Sequence, residues 1–131
     1  AGLGLLEVDT VMTDDKRVTE TAALHLGSGL EVHGYEIHIG RTKGPDAARP
    51  MFTTGGQPEG ATSADGRVMG SYLHGMFSAD PFRRAFLTGL GATAGTASYE
   101  AGVDATLDLL ADHLEVHVDC AGLLALAGQG V

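Results

Sequence analysis

The chain has 131 residues, 44% of them hydrophobic, with 17 acidic and 8 basic residues and a formal net charge of -9. That is apolar material for one modest domain and too little for two independent cores, and the acidic balance sets the chain against phosphate backbones and anionic membrane surfaces, so neither nucleic acid nor membrane is an expected partner. The single cysteine, Cys120, excludes an internal disulfide and a cysteine metal scaffold, which fits a reducing, cytoplasmic compartment.

The opening "AGLGLLEVDTVM" has no Lys or Arg before Lys16, unlike a secretion signal. No apolar run approaches the roughly 20 residues of a membrane-spanning helix, so a soluble protein is expected. Beginning at Ala1, without a methionine and directly in an apolar segment, the chain reads as a piece of something longer. Leu3, Leu5 or Leu6, Val8 and Val11 predict a strand over Gly4–Met12, and Thr13-Asp14-Asp15-Lys16 carries turn chemistry after it. Residues 17–26 and "LEVHGYEIHIG" predict two strands joined through the turn at Gly27-Ser28-Gly29. Strict alternation then puts Tyr35, Ile37 and Ile39 on one face, with Glu36 and His38 about 7 Å apart on the other.

Residues 41–58 hold several glycines and three of the four prolines and read as an irregular excursion. "GATSADGRVMGSYLHG" predicts a hairpin turning at Asp65-Gly66, with His74 ending its second strand and Gly75 permitting a sharp change of direction. Asp80-Pro81 supplies a cap and a first-turn proline, so a helix is predicted from Pro81 to Leu90, stopped by Gly91. The small-residue linker "GATAGTAS" follows. Val103, Leu107, Leu110, Leu114, Val118 and Ala121 then form one apolar stripe of an amphipathic tail helix, with a break at Asp119.

Several side chains carry chemistry in principle. His74, between a strand and a capped helix, has the layout that presents catalytic groups at strand ends, and equally that of a histidine closing a strand. Glu36 and His38 fit a role orienting a catalytic group or binding an acceptor, with Arg41 as a carboxylate partner, and equally the solvent-facing half of a strand. His113 and His117 have metal-ligand spacing, but no third ligand is identifiable, so a solvated helix edge is expected and no metal site. Cys120, beside Asp119, reads as inert, because a neighbouring carboxylate raises a thiol pKa.

At "GYEIHIGRT", "SADGRVMGSYLHGMF" and "DPFRRAFL", in this order and spacing, the chain resembles the cobyric acid synthase family of glutamine-dependent amidotransferases. The opening "GLGLLEVDT" and the tail "VDATLDLLADHLEVHVD" extend the likeness over nearly the whole chain. The resemblance implies an α/β, flavodoxin-like class I glutamine amidotransferase domain, of which residues 1–91 are the C-terminal part, with mixed sheet and hairpins, and residues 92–131 a linker and helical tail packing on the same domain. It implies glutamine and a corrinoid as substrates of the full-length enzyme, and ATP with Mg in an N-terminal synthetase domain. No cofactor is implied for this chain itself. The catalytic histidine of the family's "YLHG" motif falls on His74. The family's nucleophilic cysteine lies upstream of "GLGLL", and Cys120, which follows His74, is not that residue. Many class I relatives carry a glutamate two positions after the histidine. Here that position is Met76, and Glu36 is the candidate for orienting His74. A chain lacking the nucleophile is expected to be inactive alone, and parallel strands missing from its sheet would favour self-association. Two other readings remain open: an amidotransferase acting on a different acceptor (cobyrinic acid or a cell-wall precursor), and a non-catalytic binding domain derived from the fold.

Overall fold

The computed structural model describes residues 2–128, apart from the side chains of Asp15 and Arg17. Two units form, Ala1–Gly95 and Thr96–Val131. The first is organised by a long antiparallel hairpin, β1 (Asp9–His25) and β2 (Glu31–Lys43), paired from Leu24 opposite Glu31 to Asp9 opposite Lys43. The expected turn at residues 27–29 is present: the Gly29 N–H donates to the His25 carbonyl at 2.8 Å, and Gly29 has a φ of 67°.

Farther along this hairpin the sequence expectation needs correction. The strand expected over Gly4–Met12 begins at Asp9 instead, and it does not turn at Thr13-Asp14-Asp15-Lys16 but runs through. Val11 pairs with Arg41 and Lys16 with Ile39, so four residues of β1 bulge opposite Gly40 alone. Turn-forming residues suit such a bulge because they tolerate the local loss of ladder pairing. Gly40 has a φ of 112°, and a Cβ there would lie 2.5 Å from the Val11 carbonyl oxygen. Only glycine lets the two backbones approach this closely.

The excursion over residues 41–58 is also more regular than its composition predicts. A 3-10 helix, Pro45–Ala48, leads into a small hairpin of β3 (Phe52–Thr54) and β4 (Gln57–Glu59). Gly55 and Gly56, with φ of 54° and 78°, form its two-residue turn. The hairpin predicted around Asp65-Gly66 forms as β5 (Ala61–Thr62) and β6 (Met69–Gly70), closed by a six-residue loop rather than a two-residue turn. In this loop Asp65 Oδ1 accepts from Ser63 Oγ at 2.7 Å and from the Arg67 N–H at 3.1 Å. His74 does not end β6. It belongs to a separate strand, β7 (Leu73–His74), which leaves β6 at Ser71-Tyr72 and pairs with β2. The main sheet has the order β4-β3-β1-β2-β7, and every pair in it is antiparallel. What the described residues supply of the α/β class is therefore its hairpin part and the helices after it.

The core of this unit is small and aromatic. Val32, Phe52, Leu73 and Phe82 are fully buried, and Phe52, Phe77 and Phe86 surround the Phe82 ring at centroid distances of 5.6–5.8 Å. Burial of each such side chain stabilises by about 1.5–3 kcal/mol. Phe82 lies on α1 (Asp80–Gly89), so this cluster fixes the helix against the sheet. The helix and its stop at Gly91 follow the sequence expectation, but its cap does not. Ala79 occupies the cap position without a side-chain bond, and Asp80, already helical, meets Arg83 Nη2 at 2.6 Å.

In the second unit, α2 (Tyr99–His117) and α3 (Cys120–Ala127) break at Val118-Asp119, as the sequence predicts. Ser98 Oγ accepts from the Ala101 N–H, and Asp119 Oδ1 accepts from the Gly122 N–H at 2.9 Å. The stripe residues Leu107, Leu110 and Leu114 are exposed. No helix among the described residues is long and apolar enough to cross a membrane.

Candidate functional site

The strand that carries His74 is held by three sets of contacts. In the first, β2 pairs with it, Tyr35 opposite His74 and Glu36 opposite Leu73. Gly34 makes the approach possible, because a Cβ at that position would collide with the His74 carbonyl oxygen. In the second, the Ile37 N–H of β2 donates to the Tyr72 carbonyl at 3.2 Å. In the third, the buried carboxylate of Glu59 accepts from Ser71 Oγ at 2.8 Å and from the Tyr72 N–H at 2.7 Å. Ser71 Oγ in turn accepts from the Leu73 N–H at 2.9 Å. After His74 the chain turns at Gly75, φ 82°, into the short 3-10 helix Met76–Ser78 and then α1. The sharp change of direction expected at this glycine is present.

These bonds define the chemistry of the imidazole. His74 Nδ1 lies 3.0 Å from the Tyr72 carbonyl oxygen. A carbonyl only accepts, so Nδ1 carries the hydrogen, and in the neutral ring Nε2 keeps its lone pair as an acceptor. The side chain is exposed. The arrangement suits proton exchange at Nε2 with a group arriving from outside the described residues.

Glu36 is not brought to His74. Residues paired directly across antiparallel strands share a face, so Glu36 lies on the face of Leu73 and His74 on the face of Tyr35. Successive side chains of a strand alternate, and the two residues are one register step apart. The carboxylate of Glu36 lies instead 3.3 Å from His38 Nδ1, with both side chains largely covered. That nitrogen has no hydrogen-bond partner despite the short distance. The other side of the His38 ring lies against Tyr72, centroids 4.7 Å apart. In this structure the group that holds His74 is the Tyr72 carbonyl.

The polarity of β2 also differs from the solvent-facing reading of Glu36 and His38. Tyr35, Ile37 and Ile39 form its more exposed face, while Glu36 and His38 face inward. The physical reason lies in the polar cover of the inner face. Glu59 lines the same cleft as Glu36 and His38, and the Tyr72 ring packs on His38, so this face is covered by polar and aromatic side chains rather than by solvent alone. Glu36, His38, Gly40, Arg41, Pro58 and Glu59 line a cleft on this side. Arg41 thus shares a cleft with Glu36 and His38, as the spacing suggested, whereas His74 lies on the other face.

The remaining candidates belong to the helical unit. His113 and His117 have ring centroids 4.4 Å apart on α2, and no group of three metal-ligating side chains occurs among the described residues. Cys120 directs Sγ to the Leu114 carbonyl at 3.7 Å in the helical unit. Glu59, Ser71 and Tyr72 are the site residues that sequence reasoning misses. A single glutamate between Pro58 and Gly60 carries no spacing signal, since its partners are 12 and 13 positions away.

His25 has a different character. Its ring packs against Phe52 and Phe82, centroids at 5.3 and 5.0 Å, and Nδ1 accepts from the Ser28 N–H at 3.1 Å. Desolvation pushes its pKa below the ordinary 6.5. The unfolded chain then binds this proton at a higher pH than the folded chain does, so stability is full above 6.5 and declines as pH falls toward the lower folded value. Denaturant midpoints measured between about pH 7.5 and 5.5 should fall with pH, and His25→Gln should flatten that decline.

Comparison with known proteins bears on the same residues. Residues 1–82 match the CobB/CobQ-like glutamine amidotransferase domain. The chain is 67% identical over 126 residues to a cobyric acid synthase of Cereibacter sphaeroides and 67% identical over 126 residues to one of Rhodobacter capsulatus. It is 56% identical over 126 residues to the cobyric acid synthase of Bradyrhizobium diazoefficiens. In each case 96% of this chain is covered but only 26% of the relative, so the chain spans about a quarter of the length of the proteins it matches. No solved structure matches it. The matched span runs from the first strand through β2, Glu59 and His74 to Phe82, and on that span the chain belongs to the CobB/CobQ-like glutamine amidotransferase domain family, with its class I amidotransferase fold.

Proposed function

We propose that this chain is the C-terminal part of a glutamine-hydrolysing cobyric acid synthase acting in cobalamin biosynthesis in the cytoplasm. The observation that carries the reading is the exposed His74 imidazole, with Nδ1–H engaged by the Tyr72 carbonyl and Nε2 left as a base. The relatives, named cobyric acid synthases over 96% of the chain, supply the substrate class.

In this reading a cysteine thiol from the longer protein loses its proton to His74 Nε2. The thiolate attacks the side-chain amide carbon of glutamine, forming a carbon–sulfur bond. The tetrahedral centre collapses with cleavage of the carbon–nitrogen bond, and His74 returns the proton to the departing ammonia. Water hydrolyses the remaining glutamyl thioester to glutamate and restores the thiol. The ammonia would pass to an N-terminal synthetase domain of the longer protein, which would draw on ATP and Mg to amidate carboxylates of an adenosylcobyrinic acid a,c-diamide; no residue of this chain is assigned to hold them. Cys120 has no part in this sequence.

The 131-residue chain alone, having no such nucleophile, should release no ammonia from glutamine, whereas the intact protein should. A coupled ammonia assay on both is the test. Glutamine hydrolysis by the chain alone, or its absence from the intact protein, would overturn the reading.

A further inference from the structure

We propose that Glu59 is the positioning residue for His74, supplying through the backbone the restraint that related enzymes place at the position of Met76. The inference rests on the functional reading above and names the group that makes it work.

Glu59 is 9% exposed, and a carboxylate so covered is costly unless its oxygens are hydrogen-bonded. Both oxygens are used: Oε2 on Ser71 Oγ and Oε1 on the Tyr72 N–H. These bonds fall where the chain leaves β6 and has not yet paired as β7, so the Tyr72 N–H takes its partner from a side chain. The next bonds in the series are Leu73 N–H to Ser71 Oγ and His74 Nδ1–H to the Tyr72 carbonyl. The plane of the Tyr72 peptides is thereby set by Glu59 on the N–H side and by the Ile37 N–H on the carbonyl side. The carbonyl that selects the tautomer of His74 points where it does because both ends of Tyr72 are tied. Glu59 touches neither His74 nor the face on which substrate would meet it, so its effect is on orientation alone.

The test uses the intact protein labelled with 15N-histidine, His74 being assigned by the signal lost in His74→Gln. Long-range proton–nitrogen correlations should show the wild-type ring as the Nδ1–H tautomer and the Glu59→Ala ring as a mixture. In glutamine hydrolysis, Glu59→Ala should lower kcat about 10²-fold, the scale of an ångström-sized misplacement, with KM for glutamine nearly unchanged. Glu59→Gln keeps an acceptor for the Tyr72 N–H and should recover most of the loss. Should Glu59→Ala fail to fold, Ser71→Ala removes one of the two bonds on the carboxylate and should shift the tautomer and kcat in the same direction, less far. A wild-type Nε2–H tautomer, or an unchanged tautomer in a folded Glu59→Ala or Ser71→Ala protein, would overturn the proposal. If instead His74→Gln hydrolyses glutamine at the wild-type rate, the functional reading fails, and the tautomer measurement still decides whether Glu59 orients the ring.

Discussion

Replacing His74 with alanine in the intact protein is expected to lower glutamine-dependent turnover about 10²- to 10⁴-fold, the usual worth of a positioned proton-transfer group. Turnover supplied with free ammonia should stay at the wild-type level, because the synthetase step does not need the thiol or its base. The position of the side chain makes the contrast clean: His74 is exposed and lies outside the buried core, so its loss should not unfold the strand. His74→Asn adds a second control. Its amide nitrogen can donate to the Tyr72 carbonyl and preserve the local hydrogen bond, yet it offers no base at pH 7. It should therefore be as slow as alanine. Parallel loss of glutamine-dependent and ammonia-dependent turnover in both variants would assign His74 to structure rather than to proton transfer.

The second large effect is expected from a residue with no side chain. Gly34 faces the His74 carbonyl so closely that a methyl group requires β7 to move away from β2. Ordinary carbon–oxygen contact begins near 3.3 Å, so the displacement is on the order of 1 Å. That shift falls on the backbone of the candidate base itself, and a misplacement of this size costs about 10²-fold in rate. Gly34→Ala should thus lower glutamine-dependent turnover by about 10²-fold, the lower end of the range expected for His74→Ala, from the opposite strand. It should also expose the backbone amides of residues 72–74 to faster hydrogen exchange. Wild-type turnover together with wild-type exchange would show that β7 accommodates the methyl group, contrary to the close approach.

Local chemistry made much of this fold legible. The β1–β2 hairpin, the hairpin at Asp65-Gly66, the reversal at Gly75, the helix after Pro81 and the break near Asp119 all follow from turn residues and apolar periodicity. The errors share one cause. Thr13-Asp14-Asp15-Lys16 has the residues of a turn, but a bulge uses the same residues, and only the pairing of Val11 with Arg41 and Lys16 with Ile39 decides between them. Alternation along β2 separates Tyr35 from Glu36 correctly yet does not say which face is covered, since that depends on Glu59 and Tyr72 arriving from elsewhere. The candidate site divides in the same way. His74 was legible from its motif, whereas Glu59 and Gly34 act through space on a strand of two residues, and no local pattern marks them.

The bond between His74 and Tyr72 has one more consequence, concerning the order of events in turnover. Nδ1 bears a hydrogen in both the neutral and the protonated imidazole, so the carbonyl can hold the ring in either charge state. Accepting a proton from a thiol and delivering it to ammonia then require the same ring pose. In the proposed reaction the cycle would then have no flip to wait for between its two halves, and His74 would be ready for the second transfer as soon as the first is complete.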